Sequence, residues 1–131
     1  MRYLGIDYGQ KRVGLALSDT EGILGMPFKT IENKDLIKDL RKIVKEEGVG
    51  KIVLGLPLNL KMEETGQTRT VLKFKEELEK HLRETPVELE NEFLTSFQAE
   101  KWGAKGEDID SSSAAIILQS YLDKKKHSEK Q

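Results

Sequence analysis

The feature that most constrains the fold is the run RYLGIDYG at residues 2–9, followed closely by RVGLALSD at residues 12–19. In the first run, aliphatic side chains alternate with Gly5 and Asp7, which is the period-two pattern of a β-strand. Asp7 is therefore expected on the face opposite the aliphatic side chains. Gly9 suits a tight reversal, and the apolar alternation resumes in the second run. The two runs predict a β-hairpin that carries a carboxylate on its first strand.

The carboxylate of Asp7 has two interpretations. An ionised carboxylate in a mostly apolar strand is costly unless it is paired, hydrogen-bonded or bound to a cation. Asp is also an ordinary turn residue, so Asp7 could simply cap the hairpin turn. The chain has no cysteine, which excludes a thiolate nucleophile and zinc-finger spacing. A metal here would have to use oxygen ligands, or at most His81 and His127.

Apolar periodicity predicts the remaining elements. They are a strand over 22–31, a helix over 35–47, a strand over 51–57, a loop over 58–66, a helix over 68–84, a strand over 87–92, a helix over 97–104 and a last helix from Asp110. Pro27 favours an edge position or a bulge for the first of these strands. Asn33 is a possible cap of the first helix, and Gly48 is expected to end it. Strands separated by helices pair in parallel through right-handed crossovers. We therefore expect an α/β fold with a mixed five-stranded sheet, antiparallel at the start and parallel afterwards, with helices on both faces.

Length and charge limit the organisation and the class of protein. A chain of 131 residues fits a single domain over 1–123, followed by a charged, flexible tail over 124–131. The net charge of −1 gives no global basic surface of the kind that coats nucleic acid. No apolar run approaches the ~20 residues that span a bilayer. The N-terminus lacks the layout of a signal peptide, so we expect a cytoplasmic protein without a membrane partner.

Three acids occupy informative places in this topology. Asp7 lies on the first strand, Glu92 at the C-terminal end of the last strand, and Asp110 in the first turn of the final helix, where the helix dipole favours negative charge. If they converge at one end of the sheet, their repulsion requires a cation, and hard oxygen ligands select Mg²⁺ or Mn²⁺. Such a site suits phosphodiester hydrolysis with two metal ions.

Glu92 and Asp110 also have simpler interpretations. Glu92 follows Glu88 and Glu90 on a strand face that could be solvated. Asp110 could be an N-terminal helix acid or cap beside three serines. Spacing alone therefore leaves the convergence of the acids open.

Four segments, in this order, strengthen the nuclease interpretation: DYGQKRVG at 7–14, GLPLN at 55–59, NEFLTS at 91–96 and DSSSAAIIL at 110–118. Because these four segments occur together and in this order, the chain resembles the YqgF/RuvX family of the ribonuclease H-like superfamily, over about residues 3–121. The family is regarded as nucleases, named for 5′-end maturation of pre-16S rRNA or as Holliday-junction resolvases. The resemblance implies a ribonuclease H-like fold and a metal-dependent nuclease whose partner is nucleic acid, either pre-rRNA or branched DNA.

The resemblance also implies roles for individual residues. Asp7, Glu92 and Asp110 match the catalytic, metal-binding acids. Positions that could face the phosphate backbone or order the site are matched by Arg12, Asn59 and Arg69. Lys61, Arg69 and Lys73 lie on or near one loop and helix start, which could form a strand-binding edge or simply a solvated face.

Two substitutions beside Glu92 depart from the family pattern. Asn91 replaces the usual acid and Phe93 the usual Arg, so one charge of each sign is missing together, which indicates a lost ion pair more than a lost metal site. Met62 stands near a usual Gly, so the loop there could differ.

Other functions stay open at this stage. A catalytically idle nucleic-acid-binding module is one alternative. A sugar-kinase or actin type of ATP-binding domain opens with a similar hairpin but generally needs two such domains, for which this chain is too short. A junction resolvase should act as a symmetric dimer. Since no apolar helix face is evident for dimerisation, we expect a monomer or weak homodimer and favour RNA processing.

Overall fold

The computed structural model describes residues 1–57, 64–91 and 107–129, without the side chains of residues 107, 108 and 129. Its elements are β1 (Arg2–Asp7), β2 (Arg12–Ser18), β3 (Gly25–Glu32), α1 (Leu36–Glu47), β4 (Val49–Leu56), α2 (Gly66–His81), β5 (Val87–Asn91) and α3 (Glu107–Glu129). Most of the loop predicted over 58–66 and the helix predicted over 97–104 lie outside the described residues.

The five strands form one sheet in the order β3-β2-β1-β4-β5. β1 pairs antiparallel with β2, and β2 antiparallel with β3. β4 pairs in parallel with both β1 and β5. A tight turn can join antiparallel strands, whereas parallel neighbours need a long crossover, which helices α1 and α2 provide here. The predicted mixed sheet is confirmed.

Pro27 occupies the position that its chemistry predicts. It lies on β3, an edge strand of the sheet, and the β2–β3 register shifts between Leu15 and Ala16, where Pro27 is paired. Because Pro has no N–H to donate, an edge and an irregular register are the places that tolerate it.

Helices cover both faces of the sheet, as predicted. On one face, α1 and α2 pack through Leu40 and Leu78 against aliphatic side chains that include Leu4 and Ile6 of β1. The other face packs against α3, and a Cβ at Gly5 would lie 2.8 Å from the Cβ of Leu118. Because strand side chains alternate between faces, Asp7 lies on the α3 side, opposite the aliphatic side chains.

The starts of all three described helices differ from the predictions, and α3 begins at Glu107 instead of Asp110. The prediction of Asn33 as the cap of α1 is wrong, since the N-cap is Asp35, in the left-handed conformation at φ 54° and without a side-chain cap hydrogen bond. Helix α2 starts before residue 68, because Thr65 and Thr68 form a reciprocal capping box. Gly48 does end α1, with its amide bonded to the carbonyl of Val44.

Residues 124–129, where the sequence predicts a charged, flexible tail, continue helix α3. Two of their lysines reach the sheet. Lys124 Nζ lies 2.7 Å from Glu90 Oε2. Lys125 Nζ donates a hydrogen bond to the hydroxyl of Tyr3 and lies 4.8 Å from the centre of its ring. None of the described helices has the length and apolar character needed to cross a membrane.

Candidate functional site

Asp7 and Asp110 lie at the same end and on the same side of the sheet. Asp7 ends β1 and pairs with Gly14 of β2. Directly opposed residues of an antiparallel pair share a face, and a Cβ built at Gly14 would lie only 1.9 Å from the carbonyl oxygen of Asp110. The first turns of α3 therefore pack on the sheet beside the residue that pairs with Asp7, and the backbone of Asp110 lies on the face to which Asp7 belongs.

Gly14 is a residue that the sequence reasoning missed. Only a residue without a side chain allows the backbone of α3 to approach β2 so closely. Its place in an otherwise apolar strand was a usable signal, because an isolated glycine in a strand often marks a close backbone approach.

The carboxylate of Asp110 is held in an incompletely satisfied state. Arg12 Nε lies 3.1 Å from Asp110 Oδ2, yet this oxygen is buried and accepts no hydrogen bond. The contact is thus a close ion pair without the alignment of a hydrogen bond. A buried oxygen without a hydrogen bond is costly. The guanidinium of Arg12 offsets part of its negative charge, and its acceptor capacity remains available to a further ligand.

Asn33 anchors the turn that joins β1 to β2. Its Nδ2 donates to the carbonyl of Gly9 at 2.7 Å, and its backbone N–H donates to the carbonyl of Lys11 at 2.9 Å. The turn is also tight in itself, because a Cβ at Gly9 would lie 2.3 Å from the carbonyl oxygen of Arg12. Asn33, expected only as a helix cap, instead holds the turn beside the candidate site.

Two polar grooves flank this turn. The first, called the hairpin groove, has a volume of about 740 Å³ and is lined by the turn, by the end of β3 and by Asp110. The second, called the helix groove, has a volume of about 510 Å³ and lies between residues 8–11 and the start of α2. Gln10 and Lys11 line both grooves.

The other predicted site residues are not all brought together. Arg69 lies exposed in the first turns of α2 and is not among the residues that line either groove. Glu92, Asn59 and Lys61 lie outside the described residues. Among the side chains that the structure describes, which leave out those of residues 107, 108 and 129, no three acidic or histidine groups cluster so that they could hold a metal ion.

The two described acids of β5 differ in exposure, because Glu90 is buried and Glu88 is exposed, but both bond to α3. Glu90 is buried against α3, where its Oε2 accepts hydrogen bonds from Ser120 Oγ and Lys124 Nζ, both at 2.7 Å. Glu88 accepts a hydrogen bond from the hydroxyl of Tyr121, and this bond lowers the pKa of Glu88. The acidic side of β5 thus faces α3, the same side as Asp7.

The sequence matches one protein family and individual relatives over nearly its whole length. The family described as RuvX, Holliday junction resolvase, matches residues 1–124. A protein of Caldanaerobacter subterraneus subsp. tengcongensis is 40% identical over 140 residues, covering 98% of this chain and all of that protein. One from Endomicrobium trichonymphae is 42% identical over 134 residues, covering 93% of this chain and 95% of its own length. Both are named "Putative pre-16S rRNA nuclease".

Solved structures show the fold. The fowlpox virus resolvase, in complex with Holliday junction DNA, superposes with a TM-score of 0.63 at 11% identity, covering 95% of this chain and 98% of its own. Thermus thermophilus RuvC in complex with a Holliday junction gives 0.60 at 11% identity, covering 96% of each chain. The expected ribonuclease H-like fold is confirmed. With a family match over residues 1–124 and relatives at 40% identity, the chain belongs to the RuvX family.

Proposed function

We propose that this protein is a nuclease that hydrolyses phosphodiester bonds during 5′-end maturation of pre-16S rRNA. The observation that carries the proposal is the placement of Asp7 and Asp110 at one end of the sheet, beside a polar groove, with Asp110 Oδ2 buried and without a hydrogen bond. The choice of RNA substrate is supported by the names of the relatives.

We propose Glu92 as the third acid. Glu88 and Glu90 both contact α3, and side chains two residues apart in a strand share a face. In the sequence, Glu92 follows Glu88 and Glu90 at the same spacing of two residues. β5 runs parallel to β4, and β4 parallel to β1, so their C-terminal ends lie at one edge of the sheet, together with Asp7.

The residues present fit a divalent metal of the Mg²⁺ or Mn²⁺ type. The donors are carboxylate oxygens, which such hard cations prefer, and Asp110 Oδ2 has unused acceptor capacity. Asp7, Glu92 and Asp110 would hold the metal, which in a two-metal endonuclease activates water and stabilises the departing oxygen.

The basic residues would position the substrate. The side chain of Arg12 is 48% exposed, so its guanidinium can turn one edge to a phosphate in forked geometry while Nε stays beside Asp110. Asn59, Lys61 and Arg69 are proposed as further contacts to the phosphate backbone.

The test is cleavage of a labelled pre-16S rRNA 5′ leader and of a four-way DNA junction with Mg²⁺ or Mn²⁺. Wild type is compared with Asp7→Asn and with the matched control Glu46→Gln, which removes an exposed carboxylate on α1. We expect wild type and the control to cut the leader and Asp7→Asn to lose cutting, because the variant removes a carboxylate proposed to hold the metal that activates water.

Two other outcomes would change the proposed function. Preferential cutting of the junction would replace rRNA maturation with the resolvase function that the family description names. If neither substrate is cut while wild type and Asp7→Asn bind RNA equally, the nuclease proposal fails and a binding module replaces it.

A further inference from the structure

The hairpin turn over residues 8–11 is a crest between two grooves that meet at Gln10 and Lys11. The hairpin groove reaches Asp110 on one side of the crest. On the other side, the helix groove ends at Gly66, Gln67 and Thr70 of α2. A linear polymer that lies in one groove can therefore continue into the other only by crossing this turn.

The charges along this path suit a polyanion. Lys11 and Lys34 line the hairpin groove, both are exposed, and neither forms an ion pair with any residue that the structure describes. Of the acids in the same groove, Asp110 is paired with Arg12, which leaves Glu32 to oppose the two lysines. The two unpaired ammonium groups can therefore neutralise phosphates.

Hydrogen bonds from Asn33 hold the crest in the absence of a ligand. Asn33 bonds the carbonyls of both Gly9 and Lys11, and these bonds tie the crest to the end of β3, directly before Lys34. Groups that are already ordered cost less conformational entropy on binding. Both lysines are thus next to Asn33, because Lys11 accepts a hydrogen bond from its backbone N–H and Lys34 follows it in the chain.

We propose that a single-stranded stretch of nucleic acid crosses the turn over residues 8–11, running between the two grooves, with Lys11 and Lys34 contacting its phosphates. The inference rests on the proposed nuclease function and adds to it the path of the strand and two contacts. The shared chemistry is a phosphodiester strand, and RNA and DNA are separate arms of the test.

The test measures binding of fluorescently labelled single-stranded RNA and DNA by anisotropy, over a range of salt concentrations and with a chelator present to prevent cleavage. The variant is Lys11→Ala/Lys34→Ala. Its control is Lys45→Ala/Lys80→Ala, which removes the same charge from exposed positions in the last turns of α1 and α2.

We expect the Lys11/Lys34 variant to bind about tenfold more weakly at low salt and to lose about 1.4 from the slope of log K against log salt, because each phosphate contact to a single strand contributes about 0.7. The control should keep nearly the wild-type slope. The arm with the tighter wild-type binding identifies RNA or DNA as the strand.

A second measurement uses the absence of cysteine from the chain. In Lys34→Cys, the single thiol should be protected from maleimide labelling by the bound strand, while the thiol of Lys45→Cys should stay reactive. Equal slopes for the two double variants, or equal labelling of the two thiols, would overturn the path without touching the nuclease proposal. If wild type cuts no substrate while the slopes and the labelling differ as expected, the nuclease proposal fails and the path of the strand stands.

Discussion

At the scale of single residues, Arg12 connects the acid at the start of α3 with the hairpin. Its Nε lies 3.1 Å from Asp110 Oδ2, and its side chain is about half exposed. An ion pair this open to solvent contributes little to stability, because water and salt screen it. We therefore expect Arg12 to act through the charge and the planar guanidinium that it places beside Asp110, and not through stability.

We expect Arg12→Ala to lower kcat/KM for cleavage by about 10²-fold, the usual loss when a donor aimed at developing charge is removed. The kcat/KM of Arg12→Lys should lie between the values of wild type and Arg12→Ala, since Lys keeps the charge but lacks the planar, forked guanidinium. Single-turnover cleavage checks this, and urea unfolding should show a change below about 1 kcal/mol. The control is Arg83→Ala, at an exposed position after α2. Equal cleavage by Arg12→Ala and wild type would remove Arg12 from the site.

The neighbours of Asn33 in the sequence predict a different role from the one that it has in the structure. Its position just before an apolar helical run predicts a helix cap. Its actual partner, Gly9, is 24 residues away in the chain, and becomes available only because β2 and β3 are paired. The residue type was informative, whereas its partner depended on tertiary structure.

At the scale of elements, the packing of α3 on β2 decides where Asp110 stands. The contact is between backbones at Gly14, where an added Cβ would lie 1.9 Å from the carbonyl of Asp110 and 2.2 Å from its carbonyl carbon. Backbone atoms cannot rotate away as a flexible side chain can, so a larger residue must displace the helix.

We expect Gly14→Ala to destabilise the fold by about 1–3 kcal/mol, the usual cost of overpacking, and to reduce cleavage because Asp110 moves from Asp7. Gly66→Ala is the matched control for stability alone, since a Cβ there meets nothing within 4 Å and alanine favours a helix by up to about 1 kcal/mol. Urea unfolding compares the two variants, and a cleavage assay follows Gly14→Ala. Wild-type stability and cleavage in Gly14→Ala would contradict the packing described.

The bond between Tyr121 and Glu88 fastens α3 to β5 at one edge of the sheet. It lowers the pKa of Glu88 from its ordinary value of 4.5. Burial, together with the same bond, raises the pKa of Tyr121 well above its ordinary value of 10.0. Both shifts make stability depend on pH.

At the scale of the whole molecule, this pair defines a pH window. The folded pKa of Glu88 is depressed, so its contribution is present above about pH 4.5 and is lost as the pH falls through the folded pKa. The folded pKa of Tyr121 is raised, so its contribution is present below about pH 10 and declines as the pH rises beyond that. Asp19 adds to the acid side, because the backbone N–H groups of Leu24 and Ile23 lower its pKa.

We expect Tyr121→Phe to flatten the decline in the free energy of unfolding above pH 10 and to weaken the acid decline, leaving the contribution of Asp19. Urea unfolding from pH 3 to pH 11 measures both limbs. Glu88→Gln is the companion variant and should also reduce the alkaline decline, since Glu88 helps to raise the pKa of Tyr121. Unchanged alkaline behaviour in both variants would show that the pair does not couple to folding.

Local patterns predicted the order of the described strands and helices, the mixed sheet, the face of Asp7 and, for Pro27, an edge position or a bulge. The reason is that alternation and helical periodicity depend on residues a few positions apart, and that proline lacks an N–H wherever it stands. The resemblance to the RuvX family likewise depended on short segments that can be read directly.

Only the tertiary structure decided the contact of Gly14 with Asp110, the partners of Asn33, the burial of Glu90 and the extension of α3 to Glu129. Each depends on groups that are distant in the chain and meet only when the sheet and its helices pack. Lys124 and Lys125 show this most clearly: as a basic run they predict a solvated tail, yet carboxylate and hydroxyl groups of β5 and β1 hold them in a helix. The energy of such contacts comes from partners that the local sequence does not contain.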